Sequence, residues 1–128
     1  MYSYYLGDGY RNKIRKILRA DDKICTDEMI DAMYNVEAMK EIVQDHFDQL
    51  ELKDEDVNTV SKFEKLQEAA RYYLAGVLCS AIMSRTKVPP FMGKEYKKNW
   101  KKKRQRCLEN GWRILDSLRQ GGGDTDVV

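Results

Sequence analysis

The chain has 128 residues, 42% hydrophobic and 34% charged, with two prolines and a formal net charge of +2. A chain of this size holds one hydrophobic core, and its balance excludes a collagen-like or Pro/Gly-rich disordered polypeptide. The expectation is a soluble, helical, globular protein, with residues 1–9 as an N-terminal arm, 10–118 as the domain and 119–128 as a flexible tail.

Gly7-Asp8-Gly9 is a turn signal, and a short helix is predicted from Tyr10 to about Arg19, with Ile14, Ile17 and Leu18 on one face. Asp21-Asp22-Lys23 breaks it. Thr26 is a good N-cap, because its hydroxyl can accept a free backbone N–H, and Asp27 and Glu28 suit the positive helix end. From there the spacing of Ile30, Met33, Tyr34, Met39, Ile42, Val43, Phe47 and Leu50 predicts one long amphipathic helix over about 27–49.

An acidic linker, Glu51–Asn58, follows. Ser61 and Glu64 have capping-box spacing, although a start nearer Asp54 also fits. The next helix is amphipathic through Phe63, Leu66 and Ala70, then apolar nearly all round from Tyr72 to Met83. A helix without a polar face must be surrounded, so this one is expected at the centre of the core. Prolines 89 and 90 force it to end by about Lys87. A last helix is predicted from Lys94 to Leu118, with Tyr96, Trp100, Cys107, Leu108, Trp112, Leu115 and Leu118 near one stripe. No segment alternates like a strand. The fold class is therefore all-α, a small bundle of one short and three long helices with flexible termini.

Charge is distributed unevenly along this plan. Residues 1–20 carry +4, residues 21–60 carry −10, residues 61–93 carry +3, residues 94–120 carry +7 and the tail carries −2. Opposite charges concentrated in different segments either neutralise each other within the fold or meet on neighbouring copies.

The residue types offer little chemistry. His46 is the sole histidine, with Asp45 and Asp48 beside it and no cysteine within twenty residues, so it reads as a helix-surface or satisfied histidine rather than a zinc ligand. Asp54-Glu55-Asp56 imitates the start of a calcium loop. Thr59 stands where that loop requires glycine and Lys65 where it requires glutamate, and the acids read instead as helix-start charge. No catalytic residue, metal or cofactor is assigned, and an enzyme is not expected. Cysteines 25, 79 and 107 are odd in number and widely spaced, which argues against a disulfide framework and for a reducing compartment. The longest uncharged stretch, Tyr72 to Ser84, falls short of the roughly 20 residues that span a bilayer, and the opening residues lack the pattern of a secretory leader.

The basic run is the strongest single signal. Lys97, Lys98, Lys101, Lys102 and Arg104 are interleaved with Tyr96 and Trp100. Such a helix could bind phosphates, with the aromatics stacking on bases. It could equally be solvated, or pair with the acidic region of a neighbouring copy, and the four-residue spacing of Tyr96 and Trp100 suits an inward-facing stripe. Pairing or solvation is the preferred reading. A small nucleic-acid-binding protein using helix 94–106 is the alternative.

One resemblance adds to this. A short basic helix ends in Leu18-Arg19-Ala20-Asp21-Asp22, and Thr26-Asp27-Glu28-Met29-Ile30 opens a second. An apolar helix carries Ala69-Ala70 and Tyr72-Tyr73-Leu74-Ala75, and a Pro-Pro loop leads to a long charged final helix. In that order, over residues 10–118, the chain resembles the head–tail connector, or adaptor, proteins of tailed bacteriophages. The resemblance implies a structural virion protein at the neck, assembled in the host cytoplasm. It implies a homo-oligomeric ring, commonly of twelve copies, around the DNA exit channel, near DNA but not in a membrane. The ring would bind the portal protein on one side and a stopper or tail-completion protein on the other. It further implies a portal contact within 107–128, for which Trp112, Leu115, Leu118, Arg119, Val127 and Val128 are candidates. Pro89, Pro90 and Phe91, with the basic residues above, are candidates for subunit-facing or DNA-facing positions.

Overall fold

In the computed structural model, residues 3–49, 59–85 and 93–124 are described. The elements are α1 (Ser3–Leu6), α2 (Tyr10–Leu18), α3 (Asp27–Met33), α4 (Val36–Lys40), a π-helical turn (Glu41–Asp45), α5 (His46–Gln49), α6 (Thr59–Arg85) and α7 (Gly93–Asp124). The fold is all-α, with no strand among the described residues. Two helices are long rather than three. They pack along each other, and the shorter elements wrap around α6.

Local chemistry sets most of the boundaries. α2 ends where Arg19 turns left-handed (φ 53°) and its backbone N–H bonds back to the Arg15 and Lys16 carbonyls. The following loop is tied by Asp21, whose carboxylate accepts from the Lys23 and Ile24 amides at 3.0 and 2.9 Å. Thr26 caps α3 as expected, its hydroxyl accepting from the Met29 amide at 3.1 Å.

The predicted single helix over 27–49 is interrupted. Tyr34 (ψ 126°) and Asn35 (ψ 111°) are extended, and the Asn35 side chain accepts from the Ala38 amide at 3.1 Å to start α4. Asparagine competes well for nearby backbone N–H groups, so it opens a new helix here instead of continuing the old one. The chain then loosens into the π turn. There His46 donates from Nδ1 to the Glu41 carbonyl, five residues back, at 3.0 Å.

Two further boundaries differ from expectation. Ser61 lies inside α6, which begins at Thr59, so it is not a cap. Residues 3–9, expected as an arm, are packed. Leu6 is fully buried, Gln67 donates to the Tyr4 carbonyl at 2.9 Å and Arg71 to the Leu6 carbonyl at 2.8 Å. Tyr4 and Phe47 both stack on Phe63, joining α1 and α5 to the start of α6. α7 continues past Leu118 to Asp124, while residues 125–128 lie outside the described residues.

The core is the apolar run of α6. Leu66, Ala70, Leu74, Leu78, Cys79 and Ile82 are inaccessible, and Ile14, Leu18, Ile30, Met39 and Val43 close over them. Nearly every helix packs on α6, which is why its sequence is apolar nearly all round from Tyr72 to Met83. The α6–α7 approach is unusually close. A Cβ on Gly76 would come within 3.0 Å of Leu108, and one on Gly111 within 3.4 Å of the Ala69 carbonyl. Glycine at these two positions allows the backbones to approach.

Ion pairs stitch α2 to α3. Arg11 meets Asp31 at 2.5 Å, Tyr10 donates to the same carboxylate at 2.9 Å, and Arg15 pairs with Asp27 and donates to the Cys25 carbonyl. The Arg11 hydrogen bond holds the Asp31 carboxyl below the usual carboxylate range.

Candidate functional site

Three surface features have the size or chemistry of a site. One depression, of about 500 Å³, lies between Gly7 and α6. Three of its charged groups are committed to each other or to backbone: Arg71 to the Leu6 carbonyl and Lys65 to Glu68 at 3.3 Å. Burial lowers the Arg71 pKa, as befits a guanidinium used as a structural tie. This cleft is an α1–α6 seam.

The second feature is the first half of α7. Lys97, Lys98, Lys101, Lys102 and Arg104 are exposed. Arg104 donates to the Ser80 hydroxyl at 3.2 Å, and Lys103 donates to the Leu18 carbonyl at 2.7 Å with its ammonium 4.5 Å from the centre of the Trp100 ring. None of Lys97, Lys98, Lys101 or Lys102 forms an ion pair among the described residues. Trp100, which could have stacked on a base, is only 7% exposed, and Tyr96 packs edge-on against it on the core side. The basic face presents cations without its large aromatic.

The third feature is an apolar groove of about 340 Å³ between the 36–46 segment, α6 and α7. Ala38, Ile42, Ala69, Leu108 and Leu115 line it, with Tyr73 and Trp112 at its edges. Trp112 is 61% exposed. The sequence stripe placed it in the core with Trp100, and the structure corrects that. On a helix of 3.6 residues per turn, position 112 lies about 120° round from position 100. Position 111, nearer the stripe, is taken by glycine, so α6 comes close and the neighbouring indole is left at the rim.

The sequence candidates thus separate. Trp112 and Leu115 come together in the groove, and Leu118 is half-buried further along α7. The Arg119 side chain, Val127 and Val128 lie outside the described residues, as do Pro89, Pro90, Phe91 and the acidic stretch at 54–56. Ala38 and Glu41 were not singled out by sequence, and Ile42 and Tyr73 were read only as parts of apolar helix patterns. The signal that could have found them is the angle of Trp112, about 120° round α7 from Trp100.

His46 also lines the groove, its Nδ1 engaged by Glu41 as described above. Among the described residues no group of three His, Cys, Asp or Glu could hold a metal ion. All three cysteines are buried free thiols. Cys79 and Cys107 share a hydrogen bond across the α6–α7 seam, which keeps the proton on Cys79, raising its pKa, and lowers that of Cys107. No described helix is long and apolar enough to cross a membrane.

Compared with protein-family models, curated proteins and solved structures, the chain matches none.

Proposed function

We propose that this chain is a structural connector of the tailed-phage neck, an adaptor that forms a ring, of about twelve copies in the family it resembles, and joins the portal to a stopper or tail-completion protein. The carrying observation is the separation of unpaired charge. The basic first half of α7 packs beside the end of α2, while exposed Glu41 lines a groove with the other half of α7 and Glu37 and Asp45 are exposed on the same segment as Glu41. No ion pair joins the two groups among the described residues. A monomer charged oppositely at two places favours head-to-tail contact with the next copy, the heterologous contact that closes into a ring. The Trp112 groove, in the region where the resemblance puts the portal contact, supplies a second surface. In this reading the protein acts by binding and transforms no substrate.

Light scattering after size exclusion, with and without purified portal, tests the reading. Oligomers at low salt that dissociate as salt rises are expected, together with co-elution with portal. The fourfold variant Lys97→Glu, Lys98→Glu, Lys101→Glu, Lys102→Glu should keep its helical circular dichroism and remain monomeric. A parent chain that is monomeric at every salt concentration and ignores the portal overturns it.

The same exposed lysines favour a second reading, sequence-independent phosphate binding to nucleic acid. Duplex binding whose affinity falls steeply with salt, with no self-association, selects it.

A further inference from the structure

The Trp112 groove has a polarity as well as a shape. Its apolar floor has one acid in its lining, and further acids on the two segments that carry the lining. Glu41 lines it, with Glu37 and Asp45 exposed on the same segment. On α7, Glu109 and Asp116 stand three residues before and four after Trp112, on its side of the helix, and both are exposed. Along the two lining stretches, 36–46 and 108–116, the exposed charges are five carboxylates and two bases, Lys40 and Arg113. This contrasts with the chain as a whole, at +2, and with the strongly basic turns that precede the groove on the same helix.

Exposed tryptophan and tyrosine at the edge of an apolar depression are the side chains that anchor protein interfaces. The acids in and beside the lining select what binds there. Phosphate-bearing ligands are disfavoured, because the carboxylates would repel them. A second copy's basic stretch can meet the exposed Glu37 and Asp45 outside the groove but cannot fill its floor, because its Trp100 and Cys107 are already buried in its own core.

We propose that this groove receives a cationic amphipathic helix from a partner protein. Its apolar side chains fill the space between Ile42, Leu108 and Leu115 under Trp112 and Tyr73, and its flanking lysines or arginines meet Glu41, Glu109 and Asp116. This is helix-in-groove recognition, with anchors at i, i+3, i+4 and i+7 giving affinity and the acidic charges giving orientation. The inference deepens the adaptor reading and rests on it only for placing that helix in the portal.

The probe is a synthetic helical peptide with leucines at those spacings and lysines on its polar face, compared with the same peptide carrying glutamates. With Trp100→Phe, Trp112 becomes the sole indole and reports directly. Calorimetry on the unmodified chain gives the same comparison without that substitution. The lysine peptide should shift Trp112 emission to shorter wavelength and bind at least about tenfold more tightly than the glutamate peptide, as one reversed close charge pair requires. The double variant Glu41→Lys, Asp116→Lys should lose that preference. Equal binding of the two peptides, no binding of either, or an unmoved Trp112 emission overturns the inference. If the lysine peptide binds as expected and the portal does not bind, the groove chemistry stands and the adaptor reading falls. If the portal binds the double variant and Trp112→Ala as well as it binds the parent, the adaptor reading stands and the inference falls.

Discussion

Two tryptophans on one helix have opposite fates. Trp100 is 7% exposed, packed against Tyr96 with Lys103 over its ring, while Trp112 is 61% exposed at the rim of a groove. The difference is one of angle and of a neighbour. Trp100 sits on the stripe that α7 turns to the core, whereas Trp112 stands beside Gly111, where the α6 backbone has moved into the space a larger residue would fill. The first half of α7 therefore hides its aromatics and shows charge. The second half hides Gly111 and shows an aromatic. The two halves are equipped for different contacts, one electrostatic and one apolar.

That contrast can be broken by substitution. The largest effect is expected from Trp100→Ala, which empties a buried site and should cost about 3–5 kcal/mol in urea or guanidinium unfolding. A loss well under that would mean that Trp100 is not part of the core. Gly111→Val comes next, at about 1–3 kcal/mol, because the added side chain must push against the Ala69 carbonyl and Tyr72. It should also change the groove, visible as a shift in Trp112 emission.

A smaller effect belongs to the α2–α3 stitch. The Asp31 carboxyl is lowered by its Arg11 hydrogen bond, so its contribution is fully present above the ordinary aspartate pKa of 3.8 and is lost as pH falls through the depressed value. Asp31→Asn should remove that part of the acid dependence in a stability-versus-pH series, and an unchanged acid limb would contradict the pairing. The smallest effect is expected at Trp112→Ala, within about 0.5 kcal/mol, because an exposed ring leaves no cavity. A loss of several kcal/mol there would put Trp112 back in the core and erase the contrast.

Much of the architecture could be read without coordinates. The all-α class follows from the absence of strand alternation. The central place of α6 follows from the Tyr72–Met83 run, which no solvated helix could carry. The Thr26 cap and the end of α2 near Arg19 are local chemistry, decided by groups within a few residues of each other. The candidate site was legible only in part, since Trp112 was singled out but read as part of the buried stripe, and Leu115 was singled out without its groove neighbours.

Where periodicity misled, a competing local or long-range preference won. Through 27–49 the apolar spacing continues across Tyr34 and Asn35, yet the Asn35 cap redirects the chain, a choice made by one side chain against the pattern of eight. The packing of α1 had no signal in residues 1–9, because its partners, Gln67 and Arg71, lie more than sixty residues away.

By itself, then, the amino-acid order determined helix content, caps and the buried axis, because these depend on hydrogen bonds and hydrophobic spacing within a few turns. Only the tertiary structure decided which side of α7 faces solvent, that Glu41 comes to the groove beside Trp112, and that the exposed Lys97, Lys98, Lys101 and Lys102 are left without an ion pair among the described residues. Those outcomes depend on how closely two helices approach, and that distance is set by the shapes on both of them together.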